Sequence, residues 1–328
     1  MKKLLLYAPL VCLLQAVYLS SASAQSQTEN GKIVESAAIR GLPLSYEDWI
    51  KKYEKRDPMA KPLEEAIAKR NSPKNGFDLL NEQTKIKAFR ITYMSDGLKI
   101  RGYLLRPVDT TAKAPVLIYA PGGFMGDGSI GAGNLIELAE WAGRGYIVVT
   151  TNYRGGVGSE GVDEIGGDDV HDVMALVPLI KTIHNADTKN MFLLAESRGG
   201  LMAYRSLGEG LPVNAAAIIA GPSNIEELYP AFKRFGLVVN DLEAEKANHF
   251  CRRSAVCWPE KIKTHLLLIH GGNDQIVPVT QTLEMTEKMQ KIHKPYSTVI
   301  YENDDHSLTN NRPEAMELIS EYFNRYKK

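Results

Sequence analysis

From Ile86 onward, short apolar runs alternate with longer stretches in which apolar residues recur every three or four positions. "IKAFRITYMS" and "LKIRGYLLRP" have the composition of strands and are separated by Asp96-Gly97, a pair suited to a tight hairpin turn. They predict two antiparallel strands. "APVLIYA", "YIVVTTNYR", "MFLLAES", "NAAAIIAG", "THLLLIHG" and "YSTVIYEN" follow as further strand-like runs. Helix-like stretches lie between or after them: "NLIELAEWAGRG", "DDVHDVMALVPLIKTIH", "GGLMAYRSLG", "TQTLEMTEKMQKIH" and "PEAMELISEYFNRYKK". Apolar strands alternating with amphipathic helices predict an α/β fold, with a mostly parallel central sheet and helices on both faces.

The pattern is different before residue 85. Lys2 and Lys3 precede an apolar run, Leu4 to Leu19, broken by Pro9 and followed by "SSASAQSQ". This predicts a secretory signal peptide over residues 1–24, cut ahead of Gln25, and export to the periplasm or the exterior. The run is short for a membrane span. Residues before Cys12 lack the small side chains expected ahead of a lipidated cysteine. Residues 25–84 are polar, with helix-like segments at "SYEDWIKKYEKR", capped by Ser45, and at "PLEEAIAKRN". They predict a helical N-terminal extension to a domain at 85–328. Residues 222–258 interrupt the alternation and predict a lid-like insertion.

Charge narrows the list of partners. Lys+Arg and Asp+Glu both number 39, and loss of Lys2 and Lys3 leaves 37 against 39, a mature charge of −2. That balance gives no pull toward nucleic acid or an anionic membrane. After the leader only Cys251 and Cys257 remain, in "CRRSAVC". In an oxidising compartment such a pair predicts a disulfide, worth roughly 2 kcal/mol on the chain-entropy model. Six positions apart on one helix their Cα atoms would be about 9 Å apart, too far to bridge, so a loop or tight turn is expected there.

In parallel sheets, working residues sit at the C-terminal ends of strands. "FLLAESRGGLMA" passes from strand to helix at Ser197, in the pattern of a nucleophile elbow with Ala195 in place of the first glycine. "GGNDQIVP" places Asp274 after the next eligible strand, and "DDHSL" places His306 after the last. The order Ser197, Asp274, His306 is nucleophile, acid, base. His306 would take the serine proton, and Asp274 would hold the imidazole tautomer. Asp304 and Asp305 compete for the acid role. Asp274 is preferred because adjacent side chains on a loop tend to diverge. Oxyanion donors are expected from the Arg198 backbone N–H and from the glycine-rich "YAPGGFMGDG".

Several of these segments together, "PGGF", "NYRGGVGSEG", "DDVHDV", "ESRGG", "RSAVCWPEKIKTHLLLIHGGND" and "DDHSL", resemble the prolyl oligopeptidase family of serine peptidases over roughly residues 85–328. The resemblance implies an α/β-hydrolase fold and the triad just described. It implies cleavage of a peptide or ester bond through an acyl-enzyme, on a short peptide or a small ester, with no cofactor. About 60 residues of extension are too few for the β-propeller that many members carry, and this keeps carboxylesterase action, for example on sugar-linked acyl groups, as the alternative. A non-catalytic binding protein of the same fold is the third reading. Some members place an oxyanion-binding tyrosine before "GGF"; this chain has Pro121, which points to backbone N–H groups at Gly122, Gly123 and Phe124.

"GVGSEG" fits a dinucleotide fingerprint, but a loop follows it instead of a helix, so it reads as a glycine loop near the active site. Arg154 either contacts substrate there or buttresses the loop. Tyr229, Phe232 and Phe235 either line an acyl or side-chain pocket or pack the core of the insertion. His171 lies on a predicted helix face without metal-ligand spacing, and no metal is expected.

Overall fold

The computed structural model describes residues 29–42, 44–54, 73–123, 129–234 and 246–328. The predicted leader and the segment "PLEEAIAKRN" lie outside these residues. Nine strands form one sheet in the order β1-β2-β3-β5-β4-β6-β7-β8-β9. They are β1 (Ile33–Ala38), β2 (Ile86–Ser95), β3 (Leu98–Pro107), β4 (Ala114–Ala120), β5 (Ile147–Thr151), β6 (Ala186–Glu196), β7 (Ala215–Ile219), β8 (His265–Gly271) and β9 (Tyr296–Tyr301). β1, β2 and β3 pair antiparallel, as do β3 and β5. The pairs from β5 through β4 to β9 are all parallel. The β2–β3 hairpin turns at Asp96 and Gly97, with φ of 50° and 81°. Positive φ at both turn residues matches the right-handed twist of the flanking strands.

The helices are α1 (Tyr46–Glu54), α2 (Lys74–Glu82), α3 (Ala132–Gly143), α4 (Val170–Met174), α5 (Leu176–Thr182), α6 (Arg198–Gly208), α7 (Ile225–Arg234), α8 (Lys246–Arg253), α9 (Thr280–Lys291) and α10 (Arg312–Arg325). Period-two alternation divides the strand side chains between two cores. Val116, Ile118, Leu193 and Ala195 join one buried cluster, and Leu117, Tyr119, Phe192 and Leu194 join the other. Both sheet faces are therefore dry, which is why these runs carry no polar alternation.

The structure corrects two expectations. The extension is not wholly helical, because Ile33–Ala38 forms edge strand β1 against β2. Its side chains after Ile33 are exposed, so no apolar pattern announced it. The single helix expected over "DDVHDVMALVPLIKTIH" is two, α4 and α5, meeting at Ala175, with Pro178 early in the second. Cys251 sits in the last turn of α8, and the tight turn expected between the two cysteines follows it. The chain leaves that helix at Ser254 and turns back through a short 3-10 segment, Ala255–Cys257. The Cα atoms are then 5.6 Å apart and the disulfide forms. Among the described residues no helix is long and apolar enough to cross a membrane.

Candidate active site

Ser197 occupies the turn between β6 and α6, with φ 52° and ψ −126°. Such a conformation costs a non-glycine residue on the order of 1–3 kcal/mol and persists only where its surroundings enforce it. The Ser197 N–H donates to the Ile219 carbonyl at 2.9 Å, and the Gly200 N–H to the Ser197 carbonyl at 2.7 Å. A Cβ on Gly199 would lie 1.9 Å from the Ala120 oxygen, and one on Gly200 would lie 2.4 Å from Gly221 Cα. Glycine is thus required after the serine, where the helix crosses β4 and β7. Ala195, before it, is still within β6, and its methyl group fills the sheet core. Alanine fits there without strain.

Asp274 and His306 reach the serine through a second close approach. A Cβ on Gly271 would lie 2.3 Å from the Asp305 oxygen, and one on Gly272 would lie 2.4 Å from the Glu302 oxygen. Their absence lets the loops after β8 and β9 close on each other. His306 Nδ1 lies 2.7 Å from Asp274 Oδ2, and His306 Nε2 lies 2.9 Å from Ser197 Oγ. The carboxylate fixes the proton on Nδ1, so Nε2 accepts from the serine hydroxyl. Asp274 Oδ1 accepts from the Ile276 and Val277 N–H groups at 2.8 and 2.9 Å. Burial alone would raise the Asp274 carboxyl. Hydrogen bonds from His270 and His306, the charge of His306 and the Ile276 amide outweigh it and hold the group well below its ordinary value.

The rival carboxylates serve their own loop. Asp304 accepts from the N–H groups of Asp305, Asn310 and Asn311, and Asp305 from those of Ser307 and Thr309. His270 escaped sequence reasoning. Fully buried at the end of β8, it places Nε2 3.1 Å from Asp274 Oδ2 and 2.8 Å from the Val277 oxygen. Two acceptors at Nε2 require the proton there, so Nδ1 accepts from Thr282 Oγ1 at 2.7 Å. Its place four residues before Asp274 at a strand end was the available signal.

The Arg198 N–H opens α6, where no acceptor lies one turn earlier in the helix. The Arg198 side chain points the other way, with Nη1 and Nη2 each 2.6 Å from Asp163 and Nη2 also 2.8 Å from Asp169. Gly122 and Gly123 follow β4. A Cβ on Gly122 would stand 3.0 Å from Ser197 Cβ, and Gly123 has φ 95°. Phe124 lies outside the described residues. Tyr153 Oη donates to the Pro121 carbonyl at 3.0 Å and so ties down the glycine segment. Burial pushes that phenol far up, so it stays a donor.

Ser197, His306, Gly122 and Gly123 line one cleft of about 640 Å³ with Trp49, Tyr119, Glu137, Glu196, Ile276 and Arg312. Arg312, from α10, holds Glu137 at 2.8 Å and Glu196 at 2.6 Å. Burial raises the Glu137 carboxyl, and the Arg312 charge opposes it. Two residues expected at the substrate are placed elsewhere. The Arg154 side chain is buried in ion pairs to Asp172 at 2.8 Å and Asp96 at 2.9 Å, so it buttresses the loop. Tyr229 is buried in a separate cluster with Leu201, Phe250 and Val277, its ring 5.3 Å from that of Phe250. The side chains of Phe232 and Phe235 lie outside the described residues. The "GVGSEG" loop starts no helix. His171 is on α4, its Nδ1 2.7 Å from Asp96 Oδ2.

Comparison with known proteins agrees with this geometry. The chain is 26% identical over 227 residues to the uncharacterized peptidase YtmA of Bacillus subtilis (strain 168), spanning 67% of this chain and 86% of that one. It is 24% identical to the acylamino-acid-releasing enzyme of Sus scrofa, spanning 65% of this chain but 31% of the relative. Among solved structures, Pyrococcus horikoshii acylaminoacyl peptidase superposes with a TM-score of 0.65 at 22% identity, over 75% of this chain and 42% of that one, and so shares the α/β-hydrolase fold. The sequence profile of the prolyl oligopeptidase family matches residues 135–328, more than half of the chain and the part that carries Ser197, Asp274 and His306. With that match added to the fold, the chain belongs to the prolyl oligopeptidase family of serine peptidases.

Proposed function

We propose that this protein is an exported serine peptidase that cleaves short or N-acylated peptides through an acyl-enzyme at Ser197. The observation that carries the reading is the continuous hydrogen-bond path from Asp274 through His306 to Ser197, at 2.7 and 2.9 Å. Ser197 Oγ attacks the substrate carbonyl carbon while His306 Nε2 takes its proton. The carbonyl oxygen becomes an oxyanion facing the Arg198 N–H and the backbone of Gly122 and Gly123. Losing one such donor typically costs about 3 kcal/mol. The C–N bond then breaks as His306 returns the proton to the departing amine. Water, deprotonated by the same imidazole, releases the acyl group and restores Ser197.

The names of the relatives support acylated peptides as the substrate class. Export is supported by the leader-like N-terminus and by the Cys251–Cys257 disulfide. Carboxylester hydrolysis would use the same acyl-enzyme. Labelling of the purified protein by a fluorophosphonate, abolished by Ser197→Ala, tests the nucleophile. Absence of label on folded protein would overturn the reading. A panel of N-acetyl-aminoacyl anilides, free aminoacyl anilides and acyl esters separates peptidase from esterase. Cleavage of the esters alone would replace peptidase by carboxylesterase. N-terminal sequencing after cell fractionation tests export, and an intact Met1 in the cytoplasm would refute it.

A further inference from the structure

One lining residue of the cleft comes from the N-terminal segment ahead of the β2–β3 hairpin. Trp49, on α1, lines the cleft together with Ser197, His306 and Gly122. The family match begins at residue 135, so Trp49 lies outside it, as do Tyr119, Gly122 and Gly123. Local chemistry explains how α1 is held. Ser45 Oγ accepts from the Asp48 N–H at 3.1 Å and caps the helix start. Ile50 is buried, the Tyr46 ring lies edge-on to Phe77 at 5.3 Å, and Trp49 is half-buried against the core cluster of that sheet face. Before the helix, Gln83 Nε2 donates to the Ile39 carbonyl at 2.6 Å, anchoring the incoming chain to the end of α2.

Trp49 is the described α1 side chain that lines the cleft, and an indole can serve as neither a general acid nor a general base. It adds indole surface to a cleft whose described apolar lining also includes Tyr119, Pro121, Ala132, Ile219 and Ile276. Aromatic side chains supply the largest contact area per residue and lose little rotational freedom on binding. Contacts remote from the reacting atoms act through binding energy, and so distinguish one substrate from another. We propose that Trp49 is a specificity-determining residue, its indole packing against a large apolar side chain of the substrate next to the scissile bond. The N-terminal segment then supplies part of the substrate site. The proposal rests on the hydrolase reading above.

The test compares kcat/KM for N-acetyl-phenylalanine and N-acetyl-alanine p-nitrophenyl esters and p-nitroanilides. Wild type, Trp49→Ala and Trp49→Phe are measured, each normalised to the sites titrated by a small fluorophosphonate. The expected result is a fall of about tenfold or more in the phenylalanine-to-alanine ratio for Trp49→Ala, about 1.4 kcal/mol, with most of it restored by Trp49→Phe. A structural role alone would lower both substrates by one factor and leave the ratio at the wild-type value. That outcome, or a ratio that does not move at all, overturns the proposal while leaving the hydrolase assignment standing. Failure of the wild type to react with the fluorophosphonate would instead remove the assignment itself.

Discussion

Replacing Asp274 by Asn tests the site more sharply than removing the serine, because it changes one atom and leaves the shape. In the wild type Oδ1 accepts the Ile276 and Val277 amides, and Oδ2 faces His306 Nδ1 and His270 Nε2. The amide of Asn has two ways to sit. With its NH2 toward the backbone it leaves two N–H groups facing donors, at roughly 1–3 kcal/mol each. With its NH2 toward the imidazoles it keeps both backbone bonds, so this arrangement wins. His270 cannot adapt readily, because the Val277 oxygen and Thr282 hydroxyl fix its tautomer. His306 can adapt by accepting at Nδ1, and Nε2 then carries the proton and faces Ser197 as a donor. Loss of the charge-assisted bond accounts for about 1.5–3 kcal/mol. The wrong tautomer adds a comparable amount, so kcat should fall on the order of 10³–10⁴-fold. Stability should respond to pH in a defined direction. The folded carboxyl titrates below its unfolded value of about 3.9. Its contribution is therefore complete above about pH 4 and is lost as pH falls toward the folded value. The difference in Tm between wild type and Asp274→Asn should be largest at pH 6 and shrink by pH 3. Active-site titration with steady-state kinetics, and calorimetry across that range, measure both. Activity within tenfold of wild type, or a difference in Tm independent of pH, would refute the reasoning.

Gly199→Ala should cost roughly 3 kcal/mol or more, because the new methyl group meets the Ala120 carbonyl at 1.9 Å; near-wild-type stability in urea unfolding would contradict the close approach. Arg154→Met should destabilise by about 3–5 kcal/mol, since it strands the fully buried Asp172 carboxylate; a change below 1 kcal/mol would show that water reaches the pair. Replacing both Cys251 and Cys257 by serine should lower Tm by roughly 3–4 °C, from about 2 kcal/mol of loop entropy. Two free thiols titrated in the unreduced protein would contradict the bridge.

The parallel sheet was legible because burial on both faces forces continuous apolar runs, and the hairpin because Asp96-Gly97 accepts positive φ. β1 was hidden for the converse reason: after Ile33 its side chains face solvent, and only backbone pairing with β2 holds it. Ser197, Asp274 and His306 could be ordered along the chain because each follows a strand. The groups around them could not be, because they meet only in three dimensions. Arg312 and Glu137 are 175 positions apart, and no local pattern joins them. Trp49 lay inside a helix-like segment, "SYEDWIKKYEKR", and nothing local to it pointed to the cleft. Arg154 was ambiguous because an arginine in a glycine loop suits a ligand or a carboxylate equally well, and the buried Asp172 that decides the matter is 18 residues away.

Arg198 works in two directions at once. Its amide opens α6 directly after Ser197, while its guanidinium is clamped by Asp163 and Asp169 in the segment leading to α4, and lies 4.7 Å from the ring of Tyr153. In the proposed mechanism, the dipole that would meet the nascent negative charge is thus bolted from behind and need not swing into place as the reaction proceeds. Swapping residues around 163–169 would therefore retune turnover from a distance without altering a single atom that the substrate meets.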